Sequence, residues 1–206
     1  MKEHIIINVG RQLGSGGHDI GRMLALDFQA KYYDRELLNL AAKESGFSEK
    51  FFEQNDEKKG FFKGLFNMQT SHFSGGSMYK TNFSQESLFQ FQSDAIRKAA
   101  KEGSCVFVGR CADYVLRDFK NVVNVFITAS MEYRIDQIMN KQHLDHDQAQ
   151  RFIEQKESGR AAYYNYYTGK KWGAAESYDL CIDSSVLGLM ETEKLIAEFV
   201  RKRFRR

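Results

Sequence analysis

The stretch from Asn8 to Ala25 reads NVGRQLGSGGHDIGRMLA, and its chemistry is that of a backbone turn offered to an anion. Gly14, Ser15, Gly16 and Gly17 let successive amides converge at the start of a helix, where the helix dipole also favours negative charge. The regular phosphate-binding pattern, G-x-x-x-x-G-K-[ST], adds a lysine for the β- and γ-phosphates and a hydroxyl for magnesium. With Gly16 as its second glycine, Arg11 stands for the first glycine, Gly17 for the lysine and His18 for the hydroxyl residue. A tight turn with purely structural glycines is the competing reading. If the turn does hold phosphates, Arg11 is the first choice for the missing charge because it begins the turn, ahead of His18 and Arg22. With no aspartate inside CVFVG, the usual magnesium ligands are missing, leaving Ser15, Asp19 or nucleotide oxygens with water.

The elements that must position this turn follow from spacing. HIIINV is a β-branched run bounded by glycine, which suits a buried strand of a parallel sheet. Ile20, Leu24 and Phe28 recur at helical spacing and predict a helix from about His18 to Ala30. A brief strand at Lys31 to Tyr33 precedes Asp34, a suitable N-cap for the helix RELLNLAAKES, and Ser48 can cap EKFFEQN. Residues 57–85 dissolve into Gly, Ser, Lys and Phe, which predicts a flexible loop or lid, before helical spacing resumes over Glu86 to Glu102. Strands are predicted at 104–109, 121–128 and 178–183, with helices around 112–117, 131–141 and 188–201. Strands alternating with helices give an α/β fold with a parallel sheet covered on both faces.

Composition bounds the rest. A chain of 206 residues, 42% hydrophobic, can bury one substantial core, so residues 1–206 are expected to form a single domain. No apolar run reaches the roughly 20 residues that span a bilayer, and the chain enters a strand at once, so a cytoplasmic location is expected. Cys105, Cys111 and Cys181 lack paired metal-ligand spacing and are expected to be reduced and buried. A net charge of +3 permits phosphate binding without resembling a strongly basic nucleic-acid domain, and the basic end RKRFRR suits a helix C-terminus. HLDHD at 143–147 reads more simply as a loop in which Asp145 or Asp147 caps the next helix than as a metal site. No protein metal site is assigned.

Taken in order, GRQLGSGGHDIGRMLA, YYDRELL, VFVGRCADYVLRD, ITASMEYRIDQIM, GRAAYYNYYTGKKW and YDLCIDSSVLG resemble the cytidylate kinase-like family, divergent relatives of nucleoside monophosphate kinases. The resemblance covers nearly everything outside 57–85. It implies a P-loop NTPase-like fold with an acceptor-binding helical insertion at 34–102 and a helical lid at 142–175. Gly14, Ser15, Gly16, Gly17 and His18 would then hold the donor phosphates of ATP, with magnesium arriving on the nucleotide. Asp34 and Arg110 would place the acceptor, with Asp113 substituting for the acidic residue that the related kinases carry where this chain has Cys111. Arg160 matches the lid arginine before the tyrosine run, and Arg151 would join it if the lid bends between them. Arg11, Arg110 and Arg160 would stabilise the charge in transfer. The implied activity is phosphoryl transfer from ATP to a nucleoside monophosphate, CMP or dCMP first. A degenerate nucleotide-binding sensor, or a kinase for a non-nucleotide small molecule, fits the lost lysine and altered acceptor residues. The implied partners are small nucleotides, with neither membrane nor nucleic acid; oligomeric state is not legible.

Overall fold

The structure is a computed structural model that describes residues 4–35 and 78–204, with the side chains of 78–85 left aside. Five parallel strands form one sheet in the order β2-β3-β1-β4-β5. They are β1 (Ile6–Arg11), β2 (Lys31–Tyr33), β3 (Cys105–Val108), β4 (Val122–Thr128) and β5 (Leu180–Asp183). The helices are α1 (Gly17–Asp27), α2 (Met78–Glu102), α3 (Ala112–Val115), α4 (Met131–Gln142), α5 (His146–Thr168) and α6 (Ser184–Phe204). Strand β1 lies between β3 and β4, pairing Asn8 with Phe107 on one side and with Asn124 on the other. Its β-branched run suits this central place, since both faces of a parallel strand are buried.

The pleat sends alternate side chains of β1 to two cores. Ile7 and Val9 join Ile20 and Leu24 of α1 and Ile196 and Val200 of α6 on one face, all fully buried. Ile6 faces the other side, with Phe107 and with Ile96 of α2 and Val115 of α3. A third, smaller cluster of Ile135, Ile138, Ala149 and Ile153 joins α4 to α5 as a helical hairpin. Among the described residues, no helix is long and apolar enough to cross a membrane.

Several elements differ from their sequence reading. Helix α2 begins at Met78 rather than near Glu86, so regular structure reaches into the stretch expected to be a loop. The helices expected after Asp34 and Ser48, and most of 57–85, lie outside the described residues. The C-terminal helix starts at Ser184 and is interrupted at Gly188, whose φ of 75° and ψ of 171° are not helical. Cys105 and Cys111 are buried as expected, but Cys181 is exposed, because β5 is an edge strand. Asp145, not Asp147, caps α5 in a reciprocal box with Gln148. Of the basic end, Arg201 pairs with Asp27 and Arg203 with Asp179, which ties the last turn of α6 to the domain.

One buried hydroxyl fixes the glycine turn to the sheet. Ser184 Oγ bonds the Ser15 carbonyl at 2.7 Å and the Thr128 carbonyl at 3.1 Å, joining turn, β4 and α6. Ser184→Ala is expected to lower unfolding free energy by about 1–3 kcal/mol, since it strands buried carbonyls. A urea midpoint equal to that of the unsubstituted protein would refute this.

Candidate active site

The turn between β1 and α1 is shaped by glycines at positive φ, Gly14 at 83° and Gly16 at 72°. Gly16 is the N-cap of α1 and brings no side-chain acceptor to the helix start, so the first-turn amides keep their capacity for an anion. The Ser15 hydroxyl does not share this role. It is fully buried and donates to the Gln12 carbonyl at 3.0 Å, so only the Ser15 backbone is available to a phosphate.

Position 17 is glycine because Arg11 occupies the space above it. A Cβ at Gly17 would stand 2.5 Å from Arg11 Cβ, and one at Gly109 would stand 2.2 Å from Arg11 Nη1. Arg11 thus excludes a lysine at position 17, and its guanidinium runs from the glycine turn across the end of β3. Arg11 Nη2 lies 3.3 Å from His18 Nε2, and His18 Nδ1 lies 3.1 Å from the Tyr32 hydroxyl oxygen. Because a guanidinium only donates, Nε2 must accept, which leaves the proton on Nδ1 facing Tyr32. Burial, and then the Arg11 charge, push His18 down to about 4, so its ring is neutral at pH 7. Arg11 itself is pushed down to about 9 by burial and by the charges of Arg160 and Arg110, opposed by Asp34. It stays cationic at neutral pH, and its Nε is enclosed without a partner among the described residues.

Two further arginines converge on it. Arg110 follows β3 on a run of left-handed backbone, with Gly109, Arg110 and Cys111 at φ of 79°, 61° and 55°. Its guanidinium lies 5.0 Å from the centre of the Tyr163 ring, a contact that holds the cation without neutralising it. Arg160, on α5, reaches the Arg11 carbonyl oxygen at 3.4 Å, and burial lowers its pKa. Arg11, Gly14, Gly16, Gly17, His18, Asp34, Arg110, Asp113 and Arg160 all line one cleft at the carboxyl ends of the strands. Asp34 is close enough to act on Arg11, His18 and Tyr32.

Other sequence-predicted residues are placed differently. Asp113 accepts a 2.6 Å bond from the Tyr164 hydroxyl, and burial raises its pKa. Its carboxylate is thereby already engaged by the tyrosine run. Arg151 is exposed and absent from the cleft walls. Helix α5 is continuous from His146 to Thr168, so nine residues place Arg151 and Arg160 about two and a half turns apart, on opposite faces. Arg22 stacks against the Tyr32 ring. The tyrosines pack on one another while lining the cleft: Tyr167 stacks on Phe89 at 4.0 Å and Tyr163 leans on Tyr167. Gly109, Tyr32, Arg134 and Glu157 also shape the site without having been singled out in the sequence. Gly109, placed directly after a strand, carried a usable signal; the other three act through partners distant in the chain.

Of the side chains the sequence offers to magnesium, Asp19 lines the cleft, whereas the Ser15 hydroxyl is committed to a backbone carbonyl. Among the described residues, no three His, Cys, Asp or Glu gather into a metal-binding group. The Ser15 hydroxyl is turned inward and both His18 ring nitrogens are engaged.

A parallel sheet ordered 2-3-1-4-5, a glycine turn after its central strand and a cationic cleft at its carboxyl ends define a P-loop kinase-like fold. Residues 6–186 match the cytidylate kinase-like family, and the chain belongs to it. Membership implies a nucleotide- or small-molecule-kinase-like role, with nucleotide and Mg2+ use in general. The chain is similar to an uncharacterized protein from Eubacterium ventriosum, with 25% identity, a TM-score of 0.73, and coverage of 96% of this chain and 98% of that one. It is also similar in fold to TT1252 from Thermus thermophilus, at 12% identity and a TM-score of 0.59 with both chains fully covered. Shikimate kinase from Bacteroides thetaiotaomicron aligns at 12% identity and a TM-score of 0.52, covering 98% and 99%. No curated protein matches the chain in sequence.

Two outcomes test this geometry. Gly17→Lys alone should abolish nucleotide binding, because it drives a side chain into Arg11, whereas the double change Arg11→Gly with Gly17→Lys should recover it. Calorimetric titration with ATP decides, and tight binding by the single variant would show that Arg11 does not hold that space. Because the folded His18 pKa is depressed to about 4, the unfolded chain takes up its proton first as pH falls. The resulting loss of stability should begin near an unfolded value of about 6.5 and continue to about 4. His18→Gln should flatten that part of the curve, followed by thermal melting at each pH.

Proposed function

We propose that the protein is an ATP-dependent phosphotransferase whose acceptor is a nucleoside monophosphate, CMP or dCMP first. The observation that carries this is the convergence of Arg11, Arg110 and Arg160 on one cleft with their charges uncompensated among themselves. Arg160 and Arg110 both lower the pKa of Arg11, and Arg110 lowers that of Arg160, an arrangement that favours a multiply charged anion. The cleft encloses about 1560 Å³, more than the roughly 300–1,000 Å³ of a single small-ligand pocket, which fits a donor and an acceptor together.

In this reading the turn amides of α1 receive the donor phosphates, Arg110 receives the acceptor phosphate, and Arg11 lies between them. Phosphoryl transfer asks the protein for alignment and charge neutralisation more than for covalent chemistry. An acceptor oxygen forms the new bond to the γ-phosphorus as the bond to the ADP oxygen breaks. Arg11 and Arg160 neutralise the charge on the migrating group, and packing of α5 over the cleft keeps water away. Magnesium would come bound to the nucleotide, with no step assigned to it here. The bond from Tyr164 to Asp113 favours a second reading, in which the acceptor is a non-nucleotide small molecule, because the acidic group nearest Arg110 in sequence is already satisfied.

The test is ADP release from purified protein with ATP and Mg2+, alone and with CMP, dCMP, UMP and AMP in turn. Stimulation by CMP or dCMP with formation of the diphosphate is expected. Arg110→Ala should raise the acceptor KM about tenfold or more, the loss of roughly 1.4 kcal/mol or more, with little change in that for ATP. Nucleotide binding without turnover for any of the four would favour the second reading or a sensor.

A further inference from the structure

Glu157 sits at a junction of three elements that the phosphate chemistry does not itself require. Its Oε1 accepts the Leu13 backbone N–H at 3.0 Å and Arg134 Nη1 at 2.7 Å. Leu13 belongs to the glycine turn, Arg134 to α4 and Glu157 to α5. The Arg134 and Glu157 side chains are only 5% and 17% exposed, unlike the peripheral pairs of α6. Arg134 is also the floor of the turn: a Cβ at Gly14 would stand 2.8 Å from the Arg134 carbonyl oxygen and 3.0 Å from its Cα.

One turn farther along α5, Arg160 reaches the carbonyl of Arg11. Helix α5 therefore grips the turn at two backbone points on either side of Gln12, with an acceptor at one and a donor at the other. A third tie holds the residue between them, since Gln12 Oε1 accepts the Ala129 N–H at 3.2 Å. The same Glu157 charge supports the cationic form of Arg160. Removing the carboxylate would leave the Arg134 charge buried without its partner and the Leu13 amide without an acceptor. Buried pairs are costly to break in this way.

We infer that Glu157 is a positioning residue for the donor-phosphate site: it sets the shape of the glycine turn and delivers Arg160 ready-placed. It follows that the α4–α5 hairpin is a fixed wall of the cleft at least as far as Arg160. A lid that swung away from this point would dismantle the turn it covers. The inference rests on the reading of the turn as a nucleotide site.

Glu157→Ala and Glu157→Gln, titrated calorimetrically with ATP and separately with CMP, test it. Glu157→Ala should weaken ATP at least about tenfold, as for loss of a charged acceptor from a backbone N–H, and change CMP by less than about twofold. Glu157→Gln, which keeps an oxygen for Leu13 but not the charge, should fall between. Unchanged ATP affinity, or parallel losses for both ligands, would overturn the assignment. If the unsubstituted protein binds neither ligand, the nucleotide reading fails on its own. Amide exchange at Leu13 in the free protein then decides: faster exchange in Glu157→Ala upholds the junction, and unchanged exchange overturns it.

Discussion

Arg11 leaves the end of β1 so close to Gly17 that the two positions share one volume, and its guanidinium continues across Gly109. Much of the cleft follows from this exclusion. Gly17 is held to glycine by the Arg11 side chain, and Gly109 by its own positive φ of 79°. His18 is the neutral acceptor beside Arg11, whose donor-only guanidinium fixes its tautomer and leaves Nδ1–H facing Tyr32. The cation beside the glycine turn is thus carried by the strand and not by the helix.

Gathering arginines is unfavourable in itself, because like charges in a poorly hydrated cleft repel. The chain tolerates this with two kinds of support. Asp34 opposes the cluster electrostatically, and Tyr163 faces Arg110 with a ring instead of a carboxylate. Glu157 is committed to Arg134 and Leu13, so it braces the site rather than neutralising Arg11. Among the described residues none of the three arginines is ion-paired to a carboxylate, so an anion entering the cleft would meet cations held in position, a condition that favours phosphate binding.

The strand–turn–helix beginning at Ile6 was legible because β-branched runs, helical spacing and glycine pairs are local signals. The nearness of Arg11 to the glycine turn was legible too, since both lie in the same short stretch, and the apolar run before Arg110 marked it as a residue at a strand end. What could not be read are contacts set by tertiary approach: Glu157 meets Leu13, and Asp113 meets Tyr164, across separations that leave no pattern in sequence. The reverse error arose at Arg151, where a bend was assumed and the helix runs straight through. Ser15 was read by residue type as a ligand, although the turn folds its hydroxyl inward. The early start of α2 reflects a polar sequence whose helicity spacing alone understated.

Arg110 and Cys111 adopt left-handed backbone, a conformation that glycine and asparagine accept more readily than either of them. Their side chains are therefore retained at some expense in local conformational energy, of the order of 1–3 kcal/mol for a residue in a sparsely populated region. A random library passed through a screen for thermal robustness alone should drift at Arg110 toward glycine or asparagine, while burial of Cys111 opposes a polar replacement there. The same library screened for ligand capture should hold Arg110 while leaving Cys111 free to change. The divergence between the two selections would separate, residue by residue, what this loop owes to folding from what it owes to a ligand.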